Sequence, residues 1–283
     1  FQQGRGDWGE GEEGWVRMKH VQLVMGPAGC GKSTYCYHMY EHGLATRRNF
    51  HMVNLDPAAE HFKYPIAVDV RELVSLEDVL EETDYGPNGG LVYCFEYLNE
   101  NLEWLHDQMG DDDDAYFIID CPGQIELYSH VPVMKNVIHS LQQRGYMICG
   151  VYILDSQFLA DSGKFISGCL ACLSAMVQLE IPHVNVISKM DLVRKKRSFM
   201  EKFYHPDGDE LAAELDEQNP DLARLNRAMC SLIDDFSLVG FLPLNIYDEE
   251  SVQFVLSHID QAIQYGEDVE PRAPEEFGDR GEE

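Results

Sequence analysis

The nine residues Gly26-Pro27-Ala28-Gly29-Cys30-Gly31-Lys32-Ser33-Thr34 constrain this chain more than any other feature in it. They match G-x-x-x-x-G-K-[ST] and stand between an apolar run, Val21–Met25, and a stretch that reads as a helix from about Lys32. Glycines at these positions let the backbone curl until successive N–H groups point at phosphate oxygens. Lys32 is then placed to reach β and γ phosphates, and the Ser33 hydroxyl to coordinate Mg²⁺. The positive end of the helix dipole adds to the same site. An ordinary Gly-rich turn would not sit so consistently between a strand and a helix, and all nine residues are expected to bind nucleotide.

Similar alternation runs through the rest of the chain. Strand-like apolar runs fall at Val21–Met25, His51–Leu55, Tyr116–Asp120, Cys149–Asp155, Val184–Ser188 and Phe241–Leu244. Helical stretches are expected to follow Lys32, Gly90, Leu127, Lys164 and Glu249. Near-continuous apolar strands belong to parallel sheets covered on both faces, so the expectation is a doubly wound, mostly parallel α/β sheet with ligands at the carboxyl ends of its strands. With 283 residues, one domain spanning 18–265 can bury roughly 75% of its unfolded surface. A charged, helix-rich segment at 194–236 reads as an insertion or lid. Residues 1–17, rich in Gly and Glu, read as a disordered leader. The stretch 266–283, with eight carboxylates against two arginines, reads as a disordered acidic tail. Asp111–Asp114 reads as a solvated turn.

A phosphate loop needs a carboxylate for its metal. Asp120 ends Tyr116-Phe-Ile-Ile-Asp120, the form of a buried strand that delivers one beside the loop, and with Ser33 it is the expected Mg²⁺ ligand. The following Cys121-Pro122-Gly123-Gln124 completes D-x-P-G-Q, similar to the γ-phosphate-sensing switch of GTPases. Gly123 would offer its N–H to the γ-phosphate, and Gln124 would orient the attacking water. Asp120 taken alone also suits a strand-end turn.

Ser188-Lys189-Met190-Asp191 follows the strand Val184–Ile187 and resembles the N/T-K-x-D guanine motif. Asp191, expected to be buried, would accept from guanine N1 and the exocyclic amine, a donor pair that adenine lacks, and the Lys189 stem would cover one face of the base. A solvated Lys–Asp turn is the bland alternative. Ser188 stands where Asn or Thr is usual, which leaves its support of the loop open. A further base contact is expected near Leu244.

Charge narrows the partners. Fifty acidic against 21 basic residues give a formal net charge of −29, which repels nucleic acid and suits either solubility or basic partner segments. The eight cysteines sit mostly in apolar runs and read as reduced core residues, the isolated Cys169-x-x-Cys172 included, which suits a cytosolic setting. No apolar stretch approaches the ~20 residues of a membrane span, so neither membrane nor direct nucleic-acid contact is expected.

Gly86-Pro87-Asn88 brings a family into view. With Asn54-Leu-Asp56-Pro-Ala58, Asp69-Val-Arg71-Glu-Leu73, Gly89-Gly90, Asp120-Cys-Pro-Gly-Gln124-Ile-Glu126-Leu-Tyr128 and Asp155-Ser-Gln157, the chain resembles the GPN-loop GTPases over nearly all of 18–268. GPAGCGKSTYC, FISG and HIDQAIQYGED are most similar to the eukaryotic type-three branch. The resemblance implies a GTPase of the dimerising (SIMIBI-like) class of P-loop NTPases, using GTP/GDP and Mg²⁺. In this class Asn88 would reach the nucleotide of a partner, either a paralogous GPN-loop subunit or a second copy. It also implies a role in assembly or nuclear import of RNA polymerase II, through its subunits or assembly factors, in a cytoplasmic protein that shuttles to the nucleus. It favours Asp56 as a water-positioning group or base, though strand-end carboxylates also cap helices, with Glu126 a weaker candidate. The chain departs from the family at Cys30, where many members have Ser, and has Pro27 where related ATPases place a trans-acting Lys. Two other readings stay open: a P-loop kinase of a small acceptor, and a GTP-bound scaffold with negligible turnover.

Overall fold

A computed structural model describes residues 18–110, 112, 115–193, 203–204, 207–218, 220–235 and 239–266. The leader at 1–17, the tail from 267, most of the 111–114 turn and the start of the 194–236 segment lie outside the described residues. The apolar runs become seven strands: β1 (Lys19–Met25), β2 (Phe50–Asn54), β3 (Val68–Asp69), β4 (Tyr116–Asp120), β5 (Tyr146–Asp155), β6 (His183–Ser188) and β7 (Phe241–Pro243). They form one sheet in the order β3-β2-β4-β1-β5-β6-β7, parallel throughout.

Ten α-helices are described: α1 (Lys32–Thr46), α2 (Leu76–Glu82), α3 (Pro87–Glu100), α4 (Leu102–Met109), α5 (Glu126–Ser129), α6 (Val133–Gln143), α7 (Ser162–Leu179), α8 (Gly208–Gln218), α9 (Ala223–Asp235) and α10 (Glu249–Ala262). Helices α3, α4, α6 and α7 bury Phe95, Leu105, Val137 and Cys172 on one face of the sheet. Helices α1 and α10 bury Tyr35, Cys36, Val255 and Ile259 on the other. The expected insertion is represented by α8 and α9, whose Leu211, Leu215 and Ile233 close a third cluster with Phe165 of α7. All eight cysteines are buried and free.

Two expectations need correction here. Helix α3 starts at Pro87, not after Gly90, so Gly86-Pro87-Asn88 is a helix N-terminus rather than a free turn. Gly86 is the extended N-cap, and Pro87 fits the first position because its missing N–H would have had no partner there. Helix α7, 18 residues with mean hydropathy 1.3, is also long and apolar enough for a membrane span by length and composition, contrary to the sequence reading. Its apolar residues are used in the core, where Phe165, Ile166, Cys169 and Leu179 are buried.

The sheet order sets the position of the site. Strand β1 lies between β4 and β5, and the chain turns outward on opposite sides of it. In doubly wound sheets this reversal opens a crevice at the strands' carboxyl ends. The loops after β1, β2, β4, β5 and β6 all converge there.

Candidate functional site

The loop after β1 runs from Gly26 to Gly31 with three glycines at positive φ: Gly26 (139°), Gly29 (76°) and Gly31 (100°). A Cβ on Gly26 would stand 2.2 Å from the Ile153 carbonyl oxygen, so both conformation and space demand glycine. Gly31, the left-handed N-cap of α1, has no side chain to occupy the helix's first N–H groups, and no acidic residue stands in the first turn. The helix end is thereby left to an anion. Lys32 is buried, and its Nζ donates back to the carbonyls of Gly26 (3.1 Å) and Pro27 (3.3 Å), which holds the ammonium over the loop. The Cys30 side chain packs inward, and burial pushes its thiol up to about 11 despite the nearby Lys32, so it stays neutral. The Cys-for-Ser departure therefore leaves the backbone amides of the loop as they were. Ser33 and Thr34 are exposed.

Asp120 ends β4, pairs in register with Val24 of β1 and Asn54 of β2, and is 3% exposed. Burial raises its carboxyl above the usual range, opposed by hydrogen bonds from Ser33 and Tyr64 and by the charge of Lys32. A carboxylate kept in this position beside a hydroxyl supplies hard oxygen donors of the kind Mg²⁺ takes together with phosphate and water. Ser33 and Asp120 therefore fit that ion, although no cluster of three acidic, His or Cys ligands occurs among the described residues.

Gly123 is pressed against the phosphate loop: a Cβ there would lie 2.8 Å from Ala28 Cα. Only glycine lets the segment after β4 approach so closely. Gln124 follows, half-buried, and Glu126, exposed at the start of α5, lines the same cavity as Pro27, Asn88 and Gln124. Asp56, after β2, is half-buried. Its backbone N–H donates to Asn54 Oδ1, and its Oδ1 accepts from the N–H of Ala58, each at 2.9 Å. Burial raises its carboxyl, opposed by the Ala58 N–H and by Lys32 and Arg71. Arg71 fixes this loop by a fork on Asp69 and a 2.8 Å bond to the Ala59 carbonyl.

The loop after β6 is tied to the phosphate loop. Ser188 Oγ donates to the Cys30 carbonyl at 2.6 Å, and Lys189 Nζ donates to the Gly29 carbonyl at 2.7 Å and pairs with Asp155 at 2.5 Å. Lys189 has φ 57°, a left-handed conformation that is costly for a residue with a side chain and is found at functional sites. The Ser156 hydroxyl holds its carbonyl at 3.1 Å. Ser188 thus has the supporting role that the sequence left open. Asp191 is exposed, not buried, because it is the middle residue of a one-turn 3₁₀ segment (Met190–Leu192) that buries none of its residues. Leu244 differs from expectation too. Its side chain is buried and its backbone bonds Ile187 (2.8 Å) and Met190 (3.2 Å), so it buttresses the base loop from within the core.

Comparison with known proteins agrees with this geometry. A family described as "Conserved hypothetical ATP binding protein" matches residues 24–265. The protein called GPN-loop GTPase 3 in Dictyostelium discoideum is 56% identical over 259 residues, covering 90% of this chain and 91% of that relative. Its Danio rerio counterpart is 50% identical over 263 residues, covering 91% and 92%. The chain belongs to the GPN-loop GTPase family. Its similarity is to the type-three branch, as these names show. A crystal structure of a GTPase in apo form from Pyrococcus abyssi superposes with TM-score 0.71 at 24% identity, covering 86% of this chain and 97% of that one, which supports the fold.

The GPN tripeptide opens α3 at the rim of the crevice. Asn88 is exposed, and its Oδ1 accepts from Gln124 Nε2 of the same chain at 3.0 Å. The loop is thus hydrogen-bonded to the residue expected to orient water. Pro27, Asn88, Gly123, Gln124 and Phe158 line a cavity of about 500 Å³ there. Sequence reasoning missed Asp155 and Ser156 as supports of Lys189, although the motif Asp155-Ser156-Gln157 had marked the place. It also missed Tyr64, for which a lone loop tyrosine gave no signal.

Proposed function

We infer that this GPN-loop family member binds GTP with Mg²⁺, hydrolyses the γ-phosphate, and acts as one half of a dimer. The observation that carries the reading is the pair of bonds from Ser188 and Lys189 to the Cys30 and Gly29 carbonyls, which ties base loop and phosphate loop together at the carboxyl ends of the strands. The names of the matched family and of the relatives differ on the base, ATP against GTP. The Lys189–Asp191 loop favours GTP, because a carboxylate there accepts from the N1 and amine donors that only guanine offers.

In this reading Lys32 and the Gly29–Ser33 amides hold the phosphates, and Ser33 and Asp120 hold the cation. The cation would neutralise charge on the phosphate oxygens. Gly123 presents its N–H from against Ala28, Gln124 orients water, and Asp56 accepts that water's proton or fixes its position. Asn88 holds Gln124 in the isolated chain and is the group to extend toward a partner, either a paralogous GPN-loop subunit or a second copy. Through such a complex the chain would serve assembly and nuclear import of RNA polymerase II, in the cytoplasm with shuttling to the nucleus. Its charge of −29 suits basic segments of that machinery.

Phosphate release from GTP, measured alone, with a paralogous subunit and with small acceptors, tests this. Release to water that rises with the paralogue supports the reading. Transfer to an acceptor would make the chain a kinase, and GTP binding with no release in any condition would make it a scaffold.

A further inference from the structure

Tyr64 lies between β2 and β3, on the segment that also carries Asp56, and is 5% exposed. Its hydroxyl donates to Asp120 Oδ2 at 2.8 Å, and the Cys36 thiol, one turn beyond Ser33 on α1, lies beside it. Packing alone does not explain a tyrosine here. The ring fills the space between Phe62 (ring centroids 5.5 Å apart) and the α1 side of the core, and phenylalanine would fill it equally. The hydroxyl's partner is the Asp120 carboxylate, and without it a buried hydroxyl would be unfavourable.

We propose that Tyr64 is a positioning residue for the divalent cation: its hydroxyl fixes the orientation of Asp120, so that the carboxylate stays directed at the ion beside Ser33. The proposal rests on the reading of Ser33 and Asp120 as the Mg²⁺ ligands. Hydrogen bonds to ligating carboxylates tune metal sites in general, and losing one costs about 10- to 100-fold in metal affinity. The same contact links the cation to the Asp56 loop. Phe62 packs at a tilt against Tyr64, the Arg71 guanidinium sits 5.0 Å from the Phe62 ring centroid, and Arg71 in turn bonds the Ala59 carbonyl and Asp69. Cation occupancy and the placement of Asp56 are thereby connected through one buried hydroxyl.

The test is release of a fluorescent GDP (the mant derivative) from the full chain across a free Mg²⁺ series, for wild type and Tyr64→Phe, with GDP affinity in EDTA and a melting curve beside it. Tyr64→Phe should raise the half-saturating Mg²⁺ concentration about tenfold, while affinity in EDTA stays at the wild-type value and the melting curve shows a folded protein. A merely structural tyrosine would weaken binding equally with and without Mg²⁺, which overturns the proposal. An unchanged Mg²⁺ dependence in a folded variant also overturns it. If wild-type GDP release ignores Mg²⁺ altogether, the assignment of Ser33 and Asp120 fails first, and the role of Tyr64 falls with it.

Discussion

At the scale of single residues the site is a set of carboxylates held against the preference of their surroundings. Asp56 is the clearest case: burial raises its carboxyl, and the Ala58 N–H, Lys32 and Arg71 only partly restore it. A raised carboxyl favours the neutral form in the folded state, so its ionisation reduces folding stability increasingly as pH rises through the folded value. For function the sign is opposite, because a base must be ionised. Single-turnover hydrolysis should therefore fall on acidification, with its acid limb above the ordinary value of 3.8. Asp56→Asn should remove that limb along with most of the rate. A pH–rate profile of both proteins checks this, and an unchanged limb in the variant would assign the titration elsewhere. Ser188 shows what residue identity alone conveys. Its deviation from Asn or Thr looked like a weakness, yet its hydroxyl reaches the Cys30 carbonyl at 2.6 Å. Asp191 is the opposite case: the motif was legible, but the exposure of its carboxylate depends on how the surrounding 3₁₀ turn meets solvent.

At the scale of elements, function depends on how closely loops can approach one another. Gly123 lets the segment after β4 touch Ala28, and Gly123→Ala would place a methyl 2.8 Å from a backbone atom that cannot yield. The segment should move away from the phosphate loop, slowing single-turnover GTP hydrolysis by about a hundredfold with little change in GDP affinity, since GDP lacks the phosphate that Gly123 is proposed to meet. Equal losses for GDP binding and hydrolysis would show general damage instead. Helix α3 gives a second prediction. Asn88 is exposed and makes no contact the helix requires, so Asn88→Ala should leave stability within ~0.5 kcal/mol and GTP affinity of the isolated chain unchanged. Hydrolysis by the paired dimer should slow about a hundredfold, the usual effect of losing one preorganised group. A melting curve beside single-turnover rates decides it. The start of α3 was hidden in the sequence because Gly89-Gly90 disfavours a helix by local propensity. Tertiary packing overrides this: Gly90 lies so near Leu76 and Leu80 that a Cβ would stand 2.7 Å from the first. Strands β1, β4 and β5 were legible because they are buried on both faces and read as unbroken apolar runs. The two-residue β3 and the short α2 and α4 lacked such a signal, whereas α6 was expected after Leu127.

At the scale of the whole molecule the two ends of the sheet do different work. The carboxyl ends carry the site, and the opposite end is clamped by Arg48, which forks onto Asp260 of α10 at 2.7 and 2.9 Å and lies 4.3 Å from the Tyr265 ring centroid. Arg48→Ala leaves the largely enclosed Asp260 carboxylate without its ion-pair partner, with only the Tyr116 hydroxyl at 3.3 Å remaining. It should cost about 2 kcal/mol, read by denaturant unfolding, with nucleotide selectivity unaffected because the clamp lies far from the crevice. A loss of selectivity with no loss of stability would contradict that division. The proposed function stands on one site, built by joining the Gly26–Thr34 loop to the Ser188–Asp191 loop, that would select guanine and hold its phosphates. The most direct measurement is side-by-side affinity for GTP and ATP in Mg²⁺, with Lys32→Ala as the phosphate-site control. Wild type should favour GTP by about tenfold, the effect of about one hydrogen bond to a charged group, and Lys32→Ala should retain neither nucleotide. Equal binding of ATP and GTP by wild type, or undiminished GTP affinity in Lys32→Ala, would contradict it.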